Sequence, residues 1–286
     1  MYKHISLQRR SYALRTAFPA FFFVLCFISS FAVAQGNLMI TPRRVVFEGN
    51  KKTQELNLAN TGKDTARYLI SMIEIRMKED GSFQQITVPD SGQNFASNYI
   101  RFFPRSVVLG PGEVQTVKVQ VSKSGMITEG EYRSHIYFRA AAEETPLGET
   151  VPSKDSTISI RIKPVFGISI PVIIRKGEPV SEVSLSNTSF EKAKDGTPVL
   201  STVFNRKGNI SAYGDLQISF ISSEGKSTVV GKIKGIAVYT PTAMRSVKIA
   251  LDKAAGIDYK NGKLHIEYMT SDQKPTKIAE AELTLM

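Results

Sequence analysis

Three histidines and one cysteine among 286 residues limit the chemistry open to this chain. His4 and Cys26 fall in an N-terminal stretch that reads as a leader, which leaves His135 and His265, far apart and each inside an alternating run. A catalytic triad or a histidine metal site needs several such groups converging. Ser-x-x-Lys occurs at Ser189/Lys192, Ser223/Lys226 and Ser271/Lys274, a repetition without accessory elements that reads as chance. Glu143 and Glu144 are adjacent in a loop with no apolar pocket to raise a carboxyl pKa. No glycine-rich loop follows a strand to cradle phosphate. The expectation is a protein that is not an enzyme and holds neither cofactor nor metal.

The informative chemistry is that of recognition. Within residues 158–174 every even position is apolar (Ile158, Ile160, Ile162, Pro164, Phe166, Ile168, Ile170, Val172, Ile174), with Ser159, Arg161, Lys163, Gly167 and Ser169 between them. An unbroken strand of that length would reach about 55 Å, against about 20 Å for an ordinary sandwich strand. Pro164 and Pro171 lack the N–H a central strand must donate, so the segment belongs at a sheet edge or bends there. An edge strand with aliphatic teeth invites another chain to pair with it. The plainer reading is a strand whose apolar face fills its own core.

These elements must be placed in a compartment and a fold. Lys3, Arg9, Arg10 and Arg15 precede an apolar stretch over residues 17–32, and Ala32-Val33-Ala34 supplies small residues for cleavage before Gln35. The predicted leader is residues 1–34. Its apolar core is short for a transmembrane span and no second long apolar run follows, so membrane insertion of the mature chain is not expected. Leu25 before Cys26 argues against a lipoprotein. The mature chain then has no cysteine, which excludes disulfide scaffolds and thiol chemistry and points to bacterial export. Net charge is +11, inflated by the four leader cations. No Lys/Arg cluster and no tryptophan suggest a nucleic-acid surface.

Short alternating runs at 38–47, 54–58, 66–77, 83–88, 114–121 and 132–140 precede the long strand, separated by Asn60-Thr61-Gly62, Asp80-Gly81 and Gly110-Pro111-Gly112-Glu113. After Arg175-Lys176-Gly177-Glu178-Pro179 a second series follows at 180–185, 199–204, 216–221, 228–233, 245–251, 263–269 and 277–285. No segment holds helical periodicity over three turns. The predicted fold class is all-β: two immunoglobulin-like β-sandwich domains joined at an angle, residues 35–176 and 177–286, with a long edge strand closing the first. The end of that strand should lie beside the cleft between the domains, a favoured place for binding.

Thr41-Pro42-Arg43-Arg44-Val45-Val46-Phe47, Asn60-Thr61-Gly62, the segment from Phe103-Pro104-Arg105 to Gly110-Pro111-Gly112-Glu113-Val114-Gln115-Thr116-Val117, and Gly130-Glu131-Tyr132-Arg133-Ser134 together resemble the amino-terminal domain of the periplasmic pilus-assembly chaperones, the PapD-like family. Gly167-Ile168-Ser169-Ile170-Pro171-Val172-Ile173-Ile174-Arg175 resembles the end of that family's long seventh strand in divergent members. The second domain matches only loosely, through Val203-Phe204-Asn205 and Gly208-Asn209.

The resemblance implies a periplasmic chaperone that binds secreted β-rich, pilin-like subunits by donor-strand complementation, for assembly of a surface fibre or coat. Its implied partners are such a subunit and, as a further candidate, an outer-membrane usher. It implies donor-strand contacts at Ile160, Ile162 and Phe166, which lie eleven, nine and five residues before Pro171. In the family two basic cleft residues grip the subunit's C-terminal carboxylate, and the first-strand arginine matches Arg44. For the second, anchoring on Asn205 places Pro171 at the lysine position, the preferred alignment, while anchoring on Arg161-Ile162-Lys163 offers Lys163. Proline cannot donate to an anion, which suggests a divergent branch. The alternative function is a structural or adhesive two-domain exported protein without a client.

Overall fold

The computed structural model describes residues 38–141, 165–253 and 257–285. The leader, Glu143, Glu144 and the long strand's first part, Ile160, Ile162 and Lys163 included, lie outside the described residues. In chain order the strands are β1 (Leu38–Thr41), β2 (Val45–Phe47), β3 (Thr53–Asn60), β4 (Ala66–Ile73), β5 (Ile75–Met77), β6 (Phe83–Gln85), β7 (Ile100–Phe103), β8 (Ser106–Leu109), β9 (Val114–Val121), β10 (Gly130–Ala140) and β11 (Gly167–Lys176). One sheet runs β1-β3-β9-β7 and faces a second in the order β2-β11-β10-β4-β8. This is the immunoglobulin-like arrangement, in which the chain crosses between sheets at β1/β2 and at β7/β8.

The second sandwich comprises β12 (Ser181–Lys192), β13 (Pro198–Gly208), β14 (Ala212–Ser222), β15 (Ser227–Val238), β16 (Met244–Ala250), β17 (Gly262–Met269) and β18 (Lys277–Leu285). Its sheets are β12-β13-β16 and β15-β14-β17-β18. Among the described residues no helix is long and apolar enough to cross a membrane.

Period-two alternation is what these strands share. In β9 Val117, Val119 and Val121 point inward between Lys118 and Gln120, and in β3 Leu56 and Leu58 do the same. They join Phe47, Ile136, Phe138, Ile170, Val172 and Ile174 in the first core. The second core is built by Leu200, Phe204, Leu216, Ile218, Leu264, Ile266 and Tyr268. Each such side chain contributes about 1.5–3 kcal/mol on burial. A third, small cluster lies at the junction, where Met77 and Ile173 meet Ala237 and Tyr239.

Several expectations change here. The run at 38–47 is two strands in different sheets, because Pro42 interrupts the ladder and Val45 restarts it beside β11. The run at 66–77 breaks into β4 and β5, and residues 100–109, absent from the expected runs, form β7 and β8 on either side of Pro104. The even apolar row of the long strand has two fates: Ile170, Val172 and Ile174 are buried in their own domain's core, as the plainer reading has it, whereas Phe166 is 48% exposed.

The turns behave as their chemistry requires. Gly112 has φ +72°, a value glycine adopts without strain, and its N–H donates to the Asn60 carbonyl at 2.8 Å. The Glu113 carboxylate accepts from the Gly110 N–H at 2.7 Å. Buried Asn60 ties three segments together by donating to the carbonyls of Asp64 and Leu109 and accepting from the Gly62 N–H.

Candidate functional site

The site is built on the outer face of the sheet that carries β2, β11 and β10. Antiparallel pairing sets His135 opposite Pro171, Arg133 opposite Ile173 and Glu131 opposite Arg175. Parallel pairing sets Val46 beside Ile173. Since side chains alternate between faces, residues 131, 133 and 135, residues 171, 173 and 175, and residues 44 and 46 share the side away from the core. On a free sandwich that face would meet solvent. Here the second domain covers it with Tyr213, Ala237 and Tyr239, so polar groups suited to a surface are buried.

Part of this face is fully bonded and locks the domains together. Arg175 donates from Nε to Glu131 at 2.9 Å, from Nη1 to Glu48 at 2.6 Å and from Nη2 to the Ser211 carbonyl at 2.9 Å. Glu131, 3% exposed, also accepts from the Ser211 N–H at 2.9 Å, from the Ser211 hydroxyl, and from Thr240 Oγ1 at 3.1 Å. Arg206 donates to the carbonyls of Thr242, Gly208 and Ile210. At the other end the β5–β6 hairpin reaches across: Thr242 Oγ1 donates to the Met77 carbonyl at 2.8 Å, and the Ser246 N–H donates to the Glu79 carbonyl at 2.7 Å. Gly81, at φ +80°, leaves the Arg245 guanidinium room to lie against the turn, where a Cβ would collide with it.

Between these two ends lie two arginines whose donors are not used up. Arg44, the residue before β2, places its guanidinium 4.4 Å above the Tyr213 ring, and its buried Nε and Nη2 have no hydrogen-bond partner among the described residues. Arg133, 2% exposed, lies 4.6 Å over the Tyr239 ring and donates once, from Nη2 to the Thr240 carbonyl at 3.3 Å. Its Nε and Nη1 are likewise buried without a partner. Burial draws both guanidinium pKa values below the ordinary range, and the nearby Tyr239 and Glu131 oppose this. A buried donor left unbonded costs about 1–3 kcal/mol, more when charged, so this pair is an unfavourable arrangement unless an acceptor comes to it.

Two neighbours complete the surroundings. His135 is buried, packs edge-on to Phe83 and Tyr239 with centroids 6.0 and 6.3 Å away, and has no partner at Nδ1 among the described residues. It is therefore a buried residue set among aromatic rings rather than one on a strand surface. Burial first, and the Arg133 charge second, hold its pKa well below the ordinary value. Glu74 accepts from Ser134 Oγ at 2.8 Å through one oxygen, while the other is buried without a partner. Burial raises its pKa against the influence of Ser134, Ser97 and Arg133. Among the described residues no group of His, Cys, Asp or Glu side chains is arranged to hold a metal ion.

Among the described residues the strand end of the site is an open edge. β2 pairs only with Val172, Ile173 and Ile174, so residues 167–171 have β10 on one side and no described strand on the other. The Ala140 N–H donates to the Phe166 carbonyl at 3.0 Å, which points the main-chain groups of even residues toward β10 and those of Gly167 and Ser169 outward. Pro171 falls on the outward row, where its missing N–H breaks no bond to β10. Gly167 has no side chain to obstruct Tyr137, whose ring occupies the place a Cβ would take. By contrast β12, also an edge strand, is blunted by a bulge between Ser186 and Ser189 with Asn187 at φ +50°.

Of the residues picked out from sequence, Arg44 lies in the cleft and Phe166 at the mouth of the open edge; Ile160, Ile162 and Lys163 lie outside the described residues. Arg133, Tyr213 and Tyr239 were missed. The polar row Glu131, Arg133, His135 reads as a solvated face on its own. Its one signal is position, on the strand antiparallel to the one that ends at the domain junction.

No protein-family model matches this chain and no curated protein matches it. Among solved structures it is similar to the CsuC–CsuE chaperone–tip adhesion subunit pre-assembly complex of archaic Csu pili from Acinetobacter baumannii, at 16% identity over 88% of this chain and 100% of that one, with a TM-score of 0.43. It is similar also to the Pseudomonas aeruginosa CupB2 chaperone, at 12% identity, 87% and 100% coverage and a TM-score of 0.42. The YadV chaperone is similar at 13% identity, with the same coverage and TM-score. No residue's role is carried over from likenesses this distant. The solved structures to which the chain is similar are those of chaperones, the first of them from a chaperone–usher pilus system.

Proposed function

We propose that this chain is a non-catalytic periplasmic chaperone that lends the outer edge of β11, and the residues leading into it, to a secreted pilin-like subunit lacking a strand. The observation that carries this is the open β11 edge at residues 167–171, entered by exposed Phe166 and lying beside a cleft where Arg44 holds buried, unbonded donors. Phe166 shares parity with Ile170, Val172 and Ile174, so the row that fills the chaperone's own core would continue past it into the subunit's groove, with Ile162 and Ile160 as further teeth. Main-chain bonds from Gly167 and Ser169 would extend the subunit's sheet, and alternate side chains would set its register. The subunit's terminal carboxylate would be gripped by Arg44, with Lys163 as a candidate second cation. Residues 1–34 would be a leader removed before Gln35, and an outer-membrane usher would receive the complex.

The rival, a structural or adhesive two-sandwich protein without a client, draws on the same row, since Ile170, Val172 and Ile174 are core. It leaves the unbonded donors of Arg44 and Arg133 without a purpose. Co-expression of the full chain with a pilin-like protein encoded beside it tests the reading. A one-to-one complex should be recovered from the periplasm, and the subunit should aggregate or be degraded without the chain. Equal recovery of soluble subunit in its absence would sink the proposal.

A further inference from the structure

Building on that reading, we infer that the second cation of the carboxylate site is Arg133 of β10, acting with Arg44 across Pro171 and Ile173, and that Lys163 is not needed for it. Arg133 is the Cα partner of Ile173, which is the partner of Val46, and Arg44 lies two residues before Val46 on the same face. Two strand spacings and two residues of rise separate the two Cα atoms by about 12 Å, within the combined reach of two arginine arms. Pro171 occupies the position between them from which a cation on β11 would have pointed. Both guanidinium groups interact electrostatically with the Tyr239 hydroxyl.

Two unpartnered donors each set these arginines apart from Arg245, which leaves only its Nε unpartnered and donates from Nη1 to the Ala237 carbonyl at 2.6 Å. Arg175 and Arg206 spend their donors on protein acceptors, and Arg175 is neutralised by Glu131 and Glu48. Arg44 has Nε and Nη2 unpartnered, one edge whose two N–H groups run parallel and fit a planar acceptor, whereas Arg133 has Nε and Nη1 unpartnered, two donors that point apart and would each give a single charge-assisted bond. Of the two carboxylates that act on Arg133, Glu131 is already paired with Arg175, and Glu74 accepts from Ser134 Oγ. The faces of Tyr213 and Tyr239 lie against the two guanidinium groups, and the low local dielectric of buried donors strengthens any bond formed there.

The test uses a probe that owes nothing to strand donation. N-acetylglycine, a chain terminus in miniature, would be titrated into the mature protein at constant ionic strength, with N-acetylglycinamide as the uncharged control, while arginine Nε–H resonances are followed by NMR. The Arg44 and Arg133 signals should both shift with the acid and neither with the amide. Arg133→Gln and Arg44→Gln should each weaken the acid at least about tenfold, with Arg133→Lys falling between and Lys163→Ala matching wild type. A Lys163→Ala defect equal to that of Arg44→Gln, or an Arg133 signal that stays fixed while that of Arg44 moves, would overturn the assignment of Arg133 and leave the carboxylate grip standing. The wild-type titration reads Arg133 directly even where a variant fails to fold. No shift at either arginine would overturn the anion site altogether, whereas the recovery of subunit complex reports separately on strand donation.

Discussion

Pro171 stands directly opposite His135 in the β10–β11 register, on the row whose main-chain groups face away from β10. A residue without an N–H is tolerated there because no bond to β10 is lost, and it marks the point where β2 ends its cover of the strand and the open edge begins. The same pair separates Arg44 on one side from Arg133 and its neighbours on the other. The proposed strand donation and anion binding would therefore adjoin on one short stretch of backbone.

Phe166→Lys should leave the thermal midpoint close to wild type, since the side chain is half exposed and surface changes usually cost within about 0.5 kcal/mol. Recovery of a subunit complex should fall sharply. Ile162→Lys and Ile160→Lys should behave alike. Val172→Lys is the contrast: it buries a charge in the first core and should lower the midpoint by several degrees or more. Thermal unfolding beside co-purification distinguishes the two classes, and a large loss of stability at Phe166 would mean the residue is core.

Arg44→Ala should weaken subunit binding at least tenfold, because truncating a charge-assisted contact of this kind costs about 2–5 kcal/mol. A subunit extended by one residue at its C-terminus should suffer a similar loss. Stability should move the other way or not at all, since the substitution removes two buried donors that have no partner among the described residues. Wild-type affinity in this variant would leave strand donation acting alone.

Glu131→Ala should be the most destabilising single change in the cleft. It strips Arg175 of its buried partner and leaves the Ser211 and Thr240 donors without their acceptor. Removing one member of a buried pair typically costs about 3–5 kcal/mol. Chemical denaturation should show a lowered midpoint, and the β5–β6 hairpin, which spans the other end of the junction, should gain protease sensitivity.

His135 sets a pH dependence of known sign. Its folded-state pKa is held well below the unfolded value of about 6.5, so the unfolded chain binds the extra proton first on acidification. The stability it contributes is complete above about pH 6.5 and is lost as pH falls below that value toward the folded pKa. Arg133, Phe83 and Tyr239 face the ring. Glu74, raised by burial, contributes in the opposite sense and is unchanged in a His135→Gln variant. The difference in urea midpoint between wild type and His135→Gln should therefore narrow from pH 7.5 to pH 5, and a constant difference would show that His135 does not titrate across folding.

The sequence by itself determined the architecture. Period-two runs such as Val117, Val119 and Val121, punctuated by turns such as Gly110-Pro111-Gly112-Glu113, dictate strands and their breaks locally, and two series of such runs can bury their faces only as two sandwiches. It also marked the edge character of the long strand, because a proline's missing N–H is a property of the residue and not of its surroundings. What it did not determine is which face of a strand meets which neighbour. Glu131, Arg133 and His135 carry a pattern suited to water, and only the docking of Tyr213, Ala237 and Tyr239 over them turns a polar face into a buried cleft. Ile170 and Phe166 share one parity and one chemistry, yet one is core and the other exposed, because the sandwich ends between them. Burial is a property of what lies opposite in space, and for both rows that partner comes from residues far away in the chain.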